Sequence, residues 1–80
     1  MDFNIGVIGL GYVGLPLAVE LGKQFPTVGY DINQTRIAEL NAGVDSTLET
    51  TPEELASASQ LTCTASTATL AASNIYIVTM

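Results

Sequence analysis

The chain has 80 residues and a formal net charge of −6, from eight carboxylates against two cations, Lys23 and Arg36, with no histidine. That balance argues against nucleic acid as a partner, because phosphate backbones are held by clustered Lys and Arg. A hydrophobic content of 48% argues against disorder, and no apolar run is long enough to cross a bilayer.

Residues 3–8 read as a first strand, and the continuous apolar character of Ile5, Val7 and Ile8 suits a central parallel strand covered on both faces. A glycine-rich turn and a first helix follow. Val13, Leu17 and Leu21 recur at helical spacing, Pro16 falls near the first turn, and Gly22 with Lys23 marks the end. The second strand is 27–30, with Pro26 at its start, where a missing N–H does least harm. Asn33 can cap a helix over 34–41, with Ile37 and Leu40 as its buried face and Gly43 just past its end. Residues 44–50 read as a loop. Thr51-Pro52-Glu53-Glu54 combines an N-cap, a proline at the first helical position and a capping-box glutamate. Capping explains the paired carboxylates Glu53 and Glu54 better than acid/base or metal chemistry does.

A short third strand over 61–64, a short helix over 66–72 and a strongly apolar fourth strand over 74–80 complete the chain. The alternation of strand and helix predicts an α/β fold, a Rossmann-like doubly wound parallel sheet represented by its first four strands in the order 3-2-1-4. From residue 55 onward the chain has no ionisable group except Cys63 and Tyr76, so this half is expected to be buried or poorly soluble. Its fourth strand would present an uncovered apolar edge, 75–78, and self-association is expected from it. A lone cysteine cannot form an internal disulfide, which agrees with a reducing cytoplasmic setting. We read Cys63 as a small buried hydrophobe.

The chemistry lies in Gly9-Leu10-Gly11-Tyr12-Val13-Gly14, placed directly after the first strand and opening the first helix. Gly9 suits a tight turn out of the strand, Gly11 a close approach of backbone to a pyrophosphate, and Gly14 close packing of helix on strand. The pyrophosphate would sit at the helix N-terminus, which holds anions without a basic side chain. A glycine run alone is also compatible with an ordinary tight turn. An acidic residue about 20 positions on, at the end of the second strand, should accept hydrogen bonds from the adenosine ribose. Asp31 stands there, although an Asp before a helix can equally be a turn former or cap. A carboxylate at that place repels a 2′-phosphate, so NAD is expected over NADP. Arg36 is open between a role beside that phosphate position and a solvated helix residue.

The segment from Ile5 through Gly9-Leu10-Gly11-Tyr12-Val13-Gly14-Leu15-Pro16-Leu17-Ala18 resembles the N-terminus of the UDP-glucose/GDP-mannose dehydrogenase family. The resemblance continues through Gly29-Tyr30-Asp31-Ile32-Asn33, Arg36-Ile37 and Asn41-Ala42-Gly43-Val44-Asp45-Ser46-Thr47-Leu48-Glu49, and ends in Tyr76-Ile77-Val78-Thr79. It covers essentially the whole chain and is strongest toward the bacterial branch acting on UDP-N-acetylhexosamines.

The resemblance implies an enzyme that uses two NAD to oxidise the C6 hydroxyl of a nucleotide sugar to a carboxylate, through a thiohemiacetal on a cysteine. It further implies that Tyr12 and Val13 supply backbone contacts to the pyrophosphate, that Asp31 binds the adenosine ribose, and that Arg36 sits beside that ribose. The implied partner is a nucleotide sugar, in a homo-oligomeric cytoplasmic enzyme. No catalytic residue can be carried onto these 80 residues, because the family's nucleophile and substrate domain lie further along, and Cys63 does not match that nucleophile. The chain alone is expected to be inactive. The alternative is a stand-alone nucleotide-binding protein, or a non-catalytic remnant that oligomerises.

Overall fold

A computed structural model describes residues 3–45 and 50–79. Over these residues strands and helices alternate as β1 (Ile5–Ile8), α1 (Gly14–Gly22), β2 (Thr27–Tyr30), α2 (Gln34–Asn41), α3 (Pro52–Ser57), β3 (Leu61–Thr64), α4 (Thr67–Leu70) and β4 (Ile75–Val78). The strands form one parallel sheet in the order β3-β2-β1-β4, as the alternation implied. Register is level: Ile8 lies opposite both Tyr30 and Val78, and Tyr30 lies opposite Thr64. The carboxyl ends of all four strands therefore fall in one row, where the loops that follow them converge.

β1 is central, and its Ile5 and Val7 are buried with Leu10, Leu15, Ala18 and Val19 in the core. Side chains alternate along a strand, so Gly6 faces the other way, where an added methyl would lie 2.7 Å from Leu70 Cδ1 of α4. The stripe that α1 buries is Gly14, Leu15, Ala18, Val19 and Gly22, and of the recurring Val13, Leu17 and Leu21 the latter two are half-buried, Leu21 against the core. Val13 is 69% exposed. Close approach explains the rotation: a Cβ on Gly14 would overlap the Gly9 carbonyl oxygen, and one on Gly22 would lie 2.6 Å from Leu61 Cβ. The edge of α1 that sits on the sheet combines these glycines and Ala18 with the fully buried Leu15 and Val19.

β2, α2 and β3 have the expected bounds. The Asn33 side chain accepts from the Arg36 amide, Ile37 and Leu40 are buried, and Gly43 adopts φ +83°, the left-handed conformation glycine tolerates best. α3 opens with the full capping box, the Thr51 hydroxyl accepting from the Glu54 amide at 3.1 Å while the Glu54 carboxylate accepts from the Thr51 amide at 3.4 Å. Capping thus accounts for Glu54. β1 begins two residues later than expected, and α4 is a single turn capped by Ser66. The loop reading of 44–50 and the strand reading of 74–80 include residues 46–49 and Met80, which lie outside the described residues.

Of the two expectations for the uncharged later half, buried or poorly soluble, burial is not met over most of it. α3 and α4 contain no buried residue, and Tyr76 and Val78 of β4 are 49% and 62% exposed. The reason is topological: β4 has β1 on one side only, and a one-turn α4 covers little of the face above it. Cys63 is buried as expected, and desolvation pushes its thiol up to about 11, partly offset by the Arg36 charge. Among the described residues no helix is long and apolar enough to cross a membrane.

Candidate cofactor site

At the carboxyl end of β1 the chain turns sharply into α1. Gly9 has φ +99°, and its amide donates to the Tyr30 carbonyl at 2.8 Å, so the turn starts anchored to β2. A side chain at Gly9 would collide with the Thr79 carbonyl, and one at Gly14 with the Gly9 carbonyl oxygen and the Thr79 hydroxyl. Gly11 differs from both, because a Cβ there would meet nothing within 4 Å. The first and third glycines are required by the protein's own packing, whereas the second faces open space.

That space is a cleft of about 400 Å³ lined by the loop from Gly9 to Gly14, Asp31 and Thr79. α1 begins beneath it without a side-chain cap, since Val13 at the N-cap has no acceptor to offer, and no acidic residue stands in its first turn. Leu15 donates its amide to the Gly11 carbonyl at 3.2 Å and Pro16 has none to give, so the Gly14 amide and the positive end of the dipole are what α1 offers an outside acceptor. Asp31 closes the side of the cleft at the end of β2. One carboxylate oxygen accepts from the Leu10 amide at 3.1 Å and the other from the Asn33 amide at 2.9 Å. A carboxylate has about four lone-pair sites, so two of them stay open to a ligand's hydroxyls. The turn-former reading and the ligand reading of Asp31 are thus compatible, one lone pair of each oxygen serving each.

Arg36 is not the solvated helix residue that spacing allowed. It is 8% exposed and does not line the cleft. Its Nε and Nη2 donate to the Leu10 carbonyl at 3.0 and 2.9 Å, and its Nη1 donates to Asp45 at 2.6 Å. The structure therefore gathers Gly9, Gly11, Tyr12, Val13, Gly14 and Asp31 at one cleft and sets Arg36 behind the loop they share. Leu10 and Thr79 are the site residues that sequence reasoning missed. The Leu10 side chain is fully buried while its amide and carbonyl are held by Asp31 and Arg36. The Thr79 hydroxyl donates to the Gly9 carbonyl at 2.7 Å, and its amide donates to the Ile8 carbonyl at 2.8 Å. Thr79 was findable, because it directly follows the strand beside β1, at the sheet end where ligands bind. Nothing in the sequence marks Leu10, whose importance is that of its peptide group.

A strand, a three-glycine turn, an uncapped helix and an acid at the next strand's end define a dinucleotide-binding α/β unit of the doubly wound class. The residues fit such a ligand: open space at Gly11, an uncapped helix N-terminus for a pyrophosphate and spare carboxylate lone pairs for a ribose. The sequence matches the UDP-glucose/GDP-mannose dehydrogenase family, NAD binding domain, over residues 3–80, and the chain belongs to that family.

Among its curated relatives, UDP-N-acetyl-D-glucosamine 6-dehydrogenase of Pseudomonas aeruginosa is 56% identical over 79 residues, and the enzyme of the same name from Salmonella typhi is 52% identical. Each alignment covers 99% of this chain and 19% of the relative, so the chain spans about a fifth of their length. Of solved structures, the UDP-D-ManNAc dehydrogenase of Pyrococcus horikoshii superposes with a TM-score of 0.80 at 31% identity, over 98% of this chain and 20% of that one. A GDP-mannose dehydrogenase ternary complex from Pseudomonas aeruginosa, at TM-score 0.83 and 23% identity over 98% of this chain and 19% of that one, shares the fold.

Proposed function

We propose that this chain is the cofactor-binding portion of an NAD-dependent dehydrogenase that oxidises the C6 hydroxyl of a UDP-sugar, a UDP-N-acetylhexosamine first and UDP-glucose second. The observation that carries the reading is the Asp31 carboxylate, set beside an uncapped helix N-terminus with lone pairs to spare. The substrate class is supported by the names of the relatives at 56% and 52% identity. When bound, NAD supplies the hydride acceptor. The chain's own residues bind and orient it: the amides of Gly11, Tyr12, Val13 and Gly14 take the pyrophosphate, Asp31 takes the adenosine ribose, and Gly9 gives the turn its path. The Tyr12 and Val13 side chains, 70% and 69% exposed, are free of packing duties that would conflict with this. Arg36 contributes through its grip on Leu10.

No catalytic group of the reaction is assigned to these residues. Cys63, buried in β3 with its thiol held protonated, is no nucleophile. A free buried thiol suits a reducing compartment, and we assign the protein to the cytoplasm. The exposed apolar edge of β4 supports assembly with further sheet or with another copy.

Calorimetric titration of the chain with NAD, beside NADP and an Asp31→Ala variant, tests the reading. Saturable NAD binding is expected, with affinity lower by about tenfold or more in the variant, the worth of a charge-assisted hydrogen bond. NADP should bind more weakly because its 2′-phosphate meets a carboxylate. Equal binding of NAD and NADP, or an Asp31→Ala variant that binds as the unsubstituted chain does, would refute it.

A further inference from the structure

Arg36 and Asp45 form an ion pair that is nearly shut off from water, with side-chain exposures of 9% and 0%. Such a pair generally stabilises a fold no more than apolar residues of the same volume, because desolvation offsets the attraction. What it supplies here is geometry. The guanidinium is a rigid planar fork, so holding Nη1 on Asp45 aims the opposite edge, Nε and Nη2, at the single carbonyl of Leu10. Asp45 is itself immobilised, its second oxygen accepting from the Thr50 amide at 2.9 Å and the Thr50 hydroxyl at 3.2 Å.

The Leu10 carbonyl belongs to the same planar, trans peptide as the Gly11 N–H. Fixing the oxygen against Arg36 therefore sets the direction of the Gly11 N–H, which leaves on the opposite side of that peptide. A cation on the carbonyl also polarises the peptide and strengthens the N–H as a donor. Gly11 lines the cleft and a Cβ there would meet nothing within 4 Å, so a ligand's pyrophosphate can come close to this peptide.

We propose that Asp45 is a positioning residue of the dinucleotide site, acting through Arg36 and the Leu10–Gly11 peptide on the amide that meets the pyrophosphate. The inference rests on the NAD reading above and adds residues that never touch the cofactor.

The test compares the full chain with its Asp45→Asn variant, which keeps the shape of the side chain and removes its charge. Binding of NAD, ADP-ribose and adenosine is followed by NMR titration, with the amide chemical shifts of Gly11 and of β3 as a second readout. NAD and ADP-ribose should each weaken by about tenfold, while adenosine, which has no phosphate, keeps its affinity. The Gly11 amide resonance should move in the variant and those of β3 should not. Unchanged NAD affinity in a folded variant, or equal losses for NAD and adenosine, overturns the inference and leaves the cofactor reading standing. An unsubstituted chain that takes no NAD overturns both. Should Asp45→Asn not fold, Thr50→Val removes one contact to Asp45 and keeps the ion pair. It should weaken NAD and spare adenosine in the same way, by about twofold to threefold, and no change there counts against the proposal.

Discussion

Alanine at Gly14 and alanine at Gly11 should damage the protein in opposite ways. A methyl on Gly14 would overlap the Gly9 carbonyl oxygen and the Thr79 hydroxyl and lie 2.8 Å from the Gly9 carbonyl carbon. Two of those three atoms are backbone, so relief requires α1 to lift from β1. Overpacking of this kind costs about 1–3 kcal/mol, and a backbone obstacle puts it at the upper end. The better helix propensity of alanine returns up to about 1 kcal/mol, for a net loss of about 2 kcal/mol. In a domain of this size that lowers the melting temperature by roughly 8–16 °C.

Gly11→Ala meets nothing within 4 Å and its φ is not in the left-handed region, so its melting temperature should move by no more than about 4 °C. Its methyl instead enters the cleft and holds a phosphate away from the loop, at a cost of about tenfold to a hundredfold in NAD affinity. Circular dichroism melts and calorimetric titration of both variants read the two quantities separately. A Gly14→Ala variant that melts with the unsubstituted chain would refute the packing argument, and a Gly11→Ala variant with full NAD affinity would refute the placement of the pyrophosphate.

Thr79→Val keeps the shape of the side chain and removes the hydrogen bond to the Gly9 carbonyl. A loss of about 1 kcal/mol is expected, and urea melts showing none would mean that the hydroxyl does not brace the turn. The Cys63 thiol has its pKa raised from 9.0 to about 11, so the folded state holds a proton that the unfolded chain gives up above pH 9. Stability should therefore be unaffected by this group below pH 9 and fall as pH rises from 9 toward 11, and a Cys63→Ala variant should lose that component of the decline. Its alkylation by iodoacetamide at pH 8 should be slow until urea unfolds the chain; equal rates would contradict its burial. The β4 edge, with Tyr76 and Val78 exposed, should drive concentration-dependent self-association in sedimentation. Val78→Lys should suppress it, and a chain that sediments as a monomer at every concentration would show that the edge does not recruit.

Features governed by near neighbours in the chain were legible without coordinates. The Asn33 cap, the Thr51–Glu54 capping box, the glycine past α2 and the strands β2 and β3 each depend on residues within about four positions, where propensity and capping act. The three glycines and Asp31 could be picked out as one candidate site because dinucleotide binding calls for those residue types at those distances, and the fold brings them to one cleft. Tertiary structure alone decided which edge of α1 faces the sheet, because Leu15 and Val19 recur at the same spacing as Leu17 and Leu21, and it is the close approach of Gly14 to Gly9 and of Gly22 to Leu61 that separates the two edges. It alone decided that Arg36 is consumed by Leu10 and Asp45, contacts 26 and 9 residues away, and that Thr79 closes the turn from 70 residues on. Sequence periodicity reports which face of an element is apolar. It does not report which polar groups the fold brings together from afar, because those pairings depend on the order and register in which the strands assemble.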